Sequence, residues 1–165
     1  MVLLIALCSG CSYQLVRYER AGEVAPRLYV RTLENATPEP RVELIFSEAL
    51  RREVLRRGAL RLVSHASAAD YRVSGSVVGI DTQGRSFSST VLALEYTISV
   101  VLDLRIERRD GSRVSLDPEA LRNSEVYLTS ADVEAGRKNR EESLRRVCDV
   151  LAVRIADALD QVAFQ

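Results

Sequence analysis

The stretch VLALEYTISVVLDLRIER, residues 91–108, has the most regular pattern in this chain of 165 residues. Its even-numbered positions from Leu92 to Ile106 are all apolar, and most of the residues between them are polar. A period of two is the signature of a β-strand with one buried face and one solvated face. At ~3.3 Å per residue this strand would be roughly 50 Å long, well above the usual length. The pattern therefore predicts an unusually long strand in a sheet that is covered on one side.

Shorter strands are predicted on both sides of the long one. Asp110-Gly111 is a hairpin turn signal that returns the chain antiparallel to the long strand. Upstream, Gly75 and Gly79 are candidate positions for bulges or close backbone approach. The polar stretch 81–89 predicts a flexible loop. The other predicted strands are 28–33, 70–80 and the return of the chain through 113–116 and, after Asp117-Pro118, about 121–127, while 60–63 is a short extended piece.

Two amphipathic helices are predicted, one after the first strand and one at the end of the chain. The first has Thr37 as its N-cap, Pro38 at its first position and Gly58 as its stop. The last helix has an apolar stripe of Leu144, Val147, Cys148, Leu151, Ile155, Ala158, Leu159 and Val162. The order β-α-β-β-β-α predicts an α+β fold. It is a two-layer sandwich in which both helices cover one face of a four-stranded, largely antiparallel or mixed sheet.

The N-terminal run from Val2 to Leu7 is apolar and is followed by Ser9, Gly10 and Cys11. Small residues directly before a cysteine form the pattern that a bacterial lipoprotein signal peptidase cuts, leaving an acylated Cys11 as the first residue. The run suits a signal peptide, because a membrane-spanning helix needs about 20 residues. A buried N-terminal strand is the alternative. The expected organisation is a signal peptide at 1–10, a lipidated tether at 11–26 and one α+β domain at 27–165.

The composition favours a globular domain without a nucleic-acid partner. Hydrophobic residues make up 47% of the chain and charged residues 28%, which permits a continuous core and argues against disorder. The chain has no Trp and only 5% aromatic residues, so a stacking platform for single-stranded nucleic acid is not expected. Its cations are all arginines except Lys138, a bias that a GC-rich genome explains and that permits an anionic ligand.

The sequence offers no convergent set of catalytic or metal-binding residues. His65 is the only histidine, so a two-histidine metal site is excluded, and its loop of small residues predicts a solvated side chain. Cys148 falls on the apolar stripe of the last helix, where a buried free cysteine is a common core residue. We therefore expect a non-enzymatic protein without catalytic residues, metal or cofactor.

Arginine pairs at 51–52, 56–57 and 108–109 are expected to be solvated. Arg85 differs because it lies beside Phe87 in the predicted loop that opens the long strand. A guanidinium fork next to an apolar ring suits a lipid A head group, where phosphate lies near acyl chains. Arg85 and Phe87 are therefore candidate lipopolysaccharide contacts.

Several segments together resemble the lipopolysaccharide-assembly lipoprotein family, LptE. Cys11-Ser12-Tyr13 is similar to the family's Cys-Gly-Tyr start, and residues 28–37 are similar to its first strand and Asn-x-Thr turn. Residues 69–77 resemble its second strand, and residues 141–159 resemble its closing helix. The likeness covers nearly all of the chain after Cys11.

The resemblance implies an outer-membrane lipoprotein that plugs the LptD β-barrel, assists its assembly and helps insert lipopolysaccharide into the outer leaflet. The implied partners are LptD, lipopolysaccharide and, through the lipid anchor, the outer membrane. Ser12 after the lipidated cysteine favours sorting to that membrane. The alternative is a lipoprotein activator of a peptidoglycan synthase with a TolB N-terminal or curli-secretion-like fold. Such activators usually have a long tether, whereas the roughly 15 residues here reach at most ~50 Å.

Overall fold

The computed structural model describes residues 25–87 and 93–164. The predicted signal peptide and most of the predicted tether, with Cys11, lie outside these residues. The described chain forms one mixed sheet with two helices packed on one of its faces, so the predicted α+β fold is confirmed. None of the helices in this part of the chain combines the length and apolar character needed to cross a membrane.

The sheet has seven strands rather than the predicted four, because three short segments add to it. The strands are β1 (Arg27–Val30), β2 (Glu34–Asn35), β3 (Arg61–Leu62), β4 (Tyr71–Phe87), β5 (Ala93–Arg108), β6 (Arg113–Val114) and β7 (Arg122–Leu128). Their order is β3-β1-β4-β5-β6, with β2 beside β4 and β7 beside β5. The β1–β3, β1–β4 and β2–β4 pairs are parallel, and the others are antiparallel.

The predicted loop at 81–89 is wrong for residues 81–87, because β4 continues through them to Phe87. Residues 81–85 are all exposed, so no apolar alternation marks them as a strand. Their backbone pairs instead with β5, for example Asp81 with Ser99 and Gln83 with Thr97. Hydrogen bonding to an adjacent strand, rather than burial of side chains, makes this segment extended.

The long strand β5 has the predicted buried face. Five of its even-numbered residues, Ile98, Val100, Leu102, Leu104 and Ile106, are buried, and Tyr96 is half-buried. The side chains of Leu92 and Leu94 lie outside the described part. Val73 and Val77 of β4 are also buried, so β4 and β5 together form the floor of the core.

Gly75 is the predicted point of close backbone approach. Its φ is +149°, and a Cβ at this position would lie 2.0 Å from the backbone oxygen of Asp103 on β5. Gly79 follows a register shift between Val77 and Gly79, so the predicted bulge is also present.

The first helix, α1 (Val42–Arg57), begins four residues later than predicted. The Asn35 side chain accepts from the Thr37 N–H at 2.9 Å and donates to the Glu39 carbonyl at 2.6 Å, which holds this stretch as a turn. Arg41 then takes a left-handed φ of 66° directly before the helix. The predicted end is confirmed, because Gly58 has a φ of 70° and donates to the Val54 carbonyl at 3.1 Å.

The closing helix, α2 (Val133–Ala163), covers the sheet with the predicted apolar stripe. Of the eight predicted residues, Ala158 and Val162 are half-buried and the other six are buried. Ion pairs between the helices progress in the same direction, from Glu39–Arg140 through Arg52–Asp149 to Arg57–Asp157. The two helices therefore run parallel to each other, and both end near the point where the chain enters β1.

Candidate functional site

The predicted contact residues Arg85 and Phe87 lie in the distal half of the β4–β5 hairpin rather than in a loop. Arg85 is exposed and falls in a register irregularity between Gly84, opposite Tyr96, and Ser86, opposite Glu95. A bulge of this kind leaves the extra residue unpaired and redirects its side chain. Phe87 ends β4 opposite Ala93 on the backbone, and its side chain is outside the described part.

This distal hairpin is covered on fewer sides than the rest of the sheet. β1 and β2 pair with β4 only as far as Val77, so the stretch from Gly79 to Phe87 pairs only with β5 among the described strands. On the other side, β7 extends beside β5 up to the pair of Leu128 with Glu95. Among the described strands, β4 is therefore the edge of the sheet from Gly79 to Phe87, while the facing part of β5 still contributes Ile98 and Val100 to the core.

An aromatic pair holds the distal part of β5 against β7, and an ion pair lies beside it. The rings of Tyr96 on β5 and Tyr127 on β7 stack with centroids 5.6 Å apart. Burial raises the pKa of Tyr127. Arg140 of α2 binds Glu39 through two bonds of 2.9 and 2.6 Å, which ties the start of α2 to the turn before α1.

Arg57 is not the solvated residue that the sequence predicts. Its guanidinium lies 2.7 Å from Glu53, 2.7 Å from Asp157 and 2.8 Å from Asp160, and its side chain is only 14% exposed. Burial lowers the pKa of Arg57, but hydrogen bonds to these three carboxylates outweigh this effect and raise the pKa above its ordinary value. Sequence reasoning missed this cluster because Asp157 and Asp160 lie about a hundred residues away along the chain.

The remaining ion pairs of α1 and the β5–β6 turn are partly exposed. Arg52 reaches Asp149 at 2.9 Å, and the Arg51 guanidinium donates to the Val30 carbonyl at 2.8 Å. At the turn, Arg109 lies 3.1 Å from Asp70. These contacts join elements that are distant in sequence. The arginine pairs therefore help to hold the fold together and are not only solvated, as the sequence predicts.

The described residues provide no catalytic constellation. His65 is exposed, as predicted. Cys148 is buried, and desolvation raises its pKa to about 12, so the thiol is protonated at neutral pH. No group of three or more histidine, cysteine or acidic side chains within 25–87 and 93–164 is arranged to hold a metal ion.

The geometry alone does not identify the family of this protein, but a family model does. The model of the family LptE, described as lipopolysaccharide-assembly, matches residues 25–159. The chain belongs to the LptE family. As an LptE-family member it is a non-enzymatic lipoprotein of lipopolysaccharide assembly. No curated protein matches the chain.

Solved structures share the fold of this LptE-family chain at low sequence identity. Rare lipoprotein B from Shewanella oneidensis is 14% identical, with a TM-score of 0.56 over 82% of this chain and 95% of its own. A hypothetical protein from Chlamydia trachomatis is 12% identical, with a TM-score of 0.60 over 86% and 99%. A minor lipoprotein from Acinetobacter baumannii is 19% identical, with a TM-score of 0.50 over 84% and 93%. The architecture is thus retained although few residues are shared.

Proposed function

We propose that this LptE-family protein is anchored in the outer membrane through an acylated Cys11 and plugs the lumen of an LptD-type β-barrel. In this role it assists assembly of the barrel and insertion of lipopolysaccharide into the outer leaflet. Residues 1–10 serve as the signal peptide, and residues 11–26 form the tether to the folded domain. The protein faces the periplasm and the lumen of the barrel.

The length and direction of the β4–β5 hairpin carry this proposal. β4 begins at Tyr71, beside Leu28 at the start of the fold, and runs for 17 residues to Phe87. At ~3.3 Å per residue this is roughly 50 Å, more than the ~40–45 Å of a bilayer with its headgroups. If the end of the domain at Arg27 lies at the inner leaflet, the far end of the hairpin reaches the level of the outer leaflet.

The sheet face turned away from the helices also suits the lumen of a barrel. Its residues alternate with the buried ones along β4, β5 and β7, and many are small and polar. A water-filled barrel interior is polar, so a face of polar and charged residues suits it. These outward residues include Ser74, Ser76, Thr97, Ser99 and Ser124.

Co-purification from outer membranes tests the partner and the anchor together. The full chain is expressed with its own signal sequence, cross-linked in cells and isolated, and the N-terminal peptide is analysed by mass spectrometry. We expect a large outer-membrane β-barrel in the complex and acyl chains on Cys11. Capture of a penicillin-binding protein instead would support the synthase-activator alternative and overturn the plug.

Arg85 is the residue that we expect to contact a phosphate of lipopolysaccharide. Because a charge-assisted hydrogen bond contributes about 1.5–3 kcal/mol, Arg85→Glu should weaken lipopolysaccharide binding by roughly tenfold or more. Arg145→Glu on α2 is the matched control, since Arg145 is also exposed. Equal affinities of the two variants in a binding titration would remove Arg85 from the site.

A further inference from the structure

The chain enters the fold at one end of the sheet, where three elements meet. Arg27, the first residue of β1, donates its backbone N–H to Asp70 at 2.9 Å, and Asp70 donates its own N–H to the Arg27 carbonyl at 2.8 Å. The N–H of Arg109, in the β5–β6 turn, donates to the Asp70 carbonyl at 2.8 Å. The start of the domain and the β5–β6 turn are therefore held side by side.

This end of the sheet carries a group of arginines, which we call the anchor-side surface: Arg61, Arg108, Arg109 and Arg113. Three of them are exposed and Arg108 is half-buried. Arg61 lies on β3 beside Arg27, and Arg113 lies on β6 opposite Glu107. Although Arg109 approaches Asp70, its side chain remains 55% exposed. Within 25–87 and 93–164, no carboxylate forms an ion pair with Arg61, Arg108 or Arg113.

The carboxylates around the anchor-side surface are mostly engaged elsewhere. Asp70 accepts two bonds from the Arg27 side chain, at 3.0 and 3.1 Å, and Asp110 accepts the Ser112 N–H at 2.8 Å. At the neighbouring ends of α1 and α2, the three carboxylates of Glu53, Asp157 and Asp160 are paired with Arg56 and Arg57. Arg61, Arg108 and Arg113 therefore lack an ion-pair partner among the described residues, whereas Arg109 is paired with Asp70.

We propose that the anchor-side surface binds anionic phospholipid headgroups of the leaflet that holds the lipidated Cys11. The proposal rests on the anchor proposed above. The tether of roughly 15 residues leaves the domain at this end of the sheet and reaches at most ~50 Å, so this is the end that faces the anchored leaflet. Guanidinium forks bind phosphate in bidentate geometry, and an acyl anchor combined with a basic surface gives firmer attachment than the anchor alone.

Docking of this surface would orient the whole domain. The arginines lie at the end of the sheet from which β4 starts, and the hairpin tip lies at the other end. Contact of the arginines with headgroups would point the tip away from that leaflet. An acidic protein surface would offer similar charges, but it would not explain why the arginines surround the point where the tether leaves.

Hydrogen exchange of the full lipidated chain in nanodiscs tests the proposal. The discs contain either phosphatidylcholine alone or an equal mixture with phosphatidylglycerol. We expect the backbone amides of residues 108–113 to exchange more slowly in the anionic discs, and high salt to remove this difference. Equal exchange in the two kinds of disc would overturn the proposal.

Two matched double variants identify the groups responsible. Arg61→Gln/Arg113→Gln removes two arginines that lack ion pairs, and it should lower the ratio of docked to undocked protein by about tenfold. Lys138→Gln/Arg145→Gln removes the same charge from exposed positions on α2 and should leave the ratio unchanged. Unchanged protection in the first variant would overturn the proposal. The proposal would also be overturned if residues 108–113 were protected only after a β-barrel partner is added, whatever the charge of the lipid.

Mass spectrometry of the N-terminal peptide distinguishes a failure of the proposed lipid anchor from a failure of the anchor-side surface. If Cys11 carries no lipid, flotation of the unmodified full chain with phosphatidylglycerol vesicles tests the anchor-side surface alone. Binding that is lost in Arg61→Gln/Arg113→Gln would then support the surface although the proposed anchor had failed. Absence of flotation would refute the surface as well.

Discussion

Arg57 shows how one side chain joins the two helices. Its guanidinium binds Glu53 on its own helix and Asp157 and Asp160 on α2. Asp160 is 8% exposed at its side chain, and Arg57 is the cation that pairs with it there. The cluster lies at the helix ends, and it holds α1 against the part of α2 that follows Val153.

We expect Arg57→Met to destabilise the protein by roughly 3 kcal/mol, because it leaves the buried carboxylate of Asp160 without its cation and Glu53 with Arg56 alone. Urea denaturation measures the change. Arg137→Met is the control, since Arg137 pairs with Glu134 and Glu141 on the surface and its loss should cost under about 1 kcal/mol. Similar values for the two variants would show that the Arg57 cluster contributes no more than a surface pair.

Gly75 is the second residue on which the fold depends. Gly75→Ala should destabilise by about 3 kcal/mol or more, because the new Cβ would lie 2.0 Å from the Asp103 oxygen and would force β4 and β5 apart. Gly111→Ala is the matched control. Its φ of +86° is also unfavourable for alanine, but no atom lies within 4 Å of the added Cβ. The control should therefore cost only about 1–2 kcal/mol in the same thermal denaturation experiment.

Among the elements, the β4–β5 hairpin changes character along its length. Up to Val77 it is flanked by β1 and β2 and covered by helices, whereas from Gly79 onward β4 pairs only with β5 among the described strands. Residues 81–85 bury no apolar side chain. Local stability follows buried contacts, so this half of the hairpin opens more easily than the base.

We therefore expect the amides of residues 79–87 that bond to β5 to exchange at least tenfold faster than those of residues 71–77 in the isolated protein. Hydrogen exchange read by mass spectrometry distinguishes the two segments. If the distal hairpin enters a barrel, formation of the complex should slow exchange there and leave residues 71–77 almost unchanged. Uniform protection along β4 in the free protein would contradict this division.

For the molecule as a whole, ion pairs make the free energy of unfolding depend on pH in the acid range. A hydrogen bond from Arg56, with further help from Arg57, lowers the pKa of Glu53 to about 2, and Arg27 lowers the pKa of Asp70 to about 2. Both carboxyls titrate at higher pH in the unfolded chain, near 4.5 and 3.8. Their contribution is present above those values and is lost as the pH falls toward about 2.

The free energy of unfolding should therefore decrease as the pH falls from about 4.5 to about 2. Above that range these two groups should cause little change of stability with pH. Chemical denaturation at a series of pH values measures it. Glu53→Gln should be less stable near neutral pH but should lose less stability on acidification, because one of the two groups is absent. A variant with the same acid dependence as the parent would show that Glu53 is not responsible.

Two ends of the molecule have different roles in the proposed assembly. The arginines of the anchor-side surface lie where the chain enters the sheet, and Arg85 lies at the distal hairpin. The long hairpin separates them by roughly the thickness of a membrane. A single sheet would thus link a phospholipid-facing end to a lipopolysaccharide-facing end.

The local sequence pattern predicts those elements in which buried and exposed side chains alternate regularly. The alternation in β5, the apolar stripe of α2 and the stop at Gly58 were all readable, because each reflects the geometry of neighbouring residues. The family resemblance also lay in the order of these segments, and the match over residues 25–159 bears it out.

Tertiary contacts were needed wherever a residue's state depends on a distant partner. Residues 81–87 are extended because β5 hydrogen-bonds to them, although their polar sequence reads as a loop. Arg57 is only 14% exposed because α2 brings Asp157 and Asp160 to it, although its local sequence predicts a solvated side chain. Strand pairing and charge neutralisation both act across space, so a one-dimensional pattern contains neither.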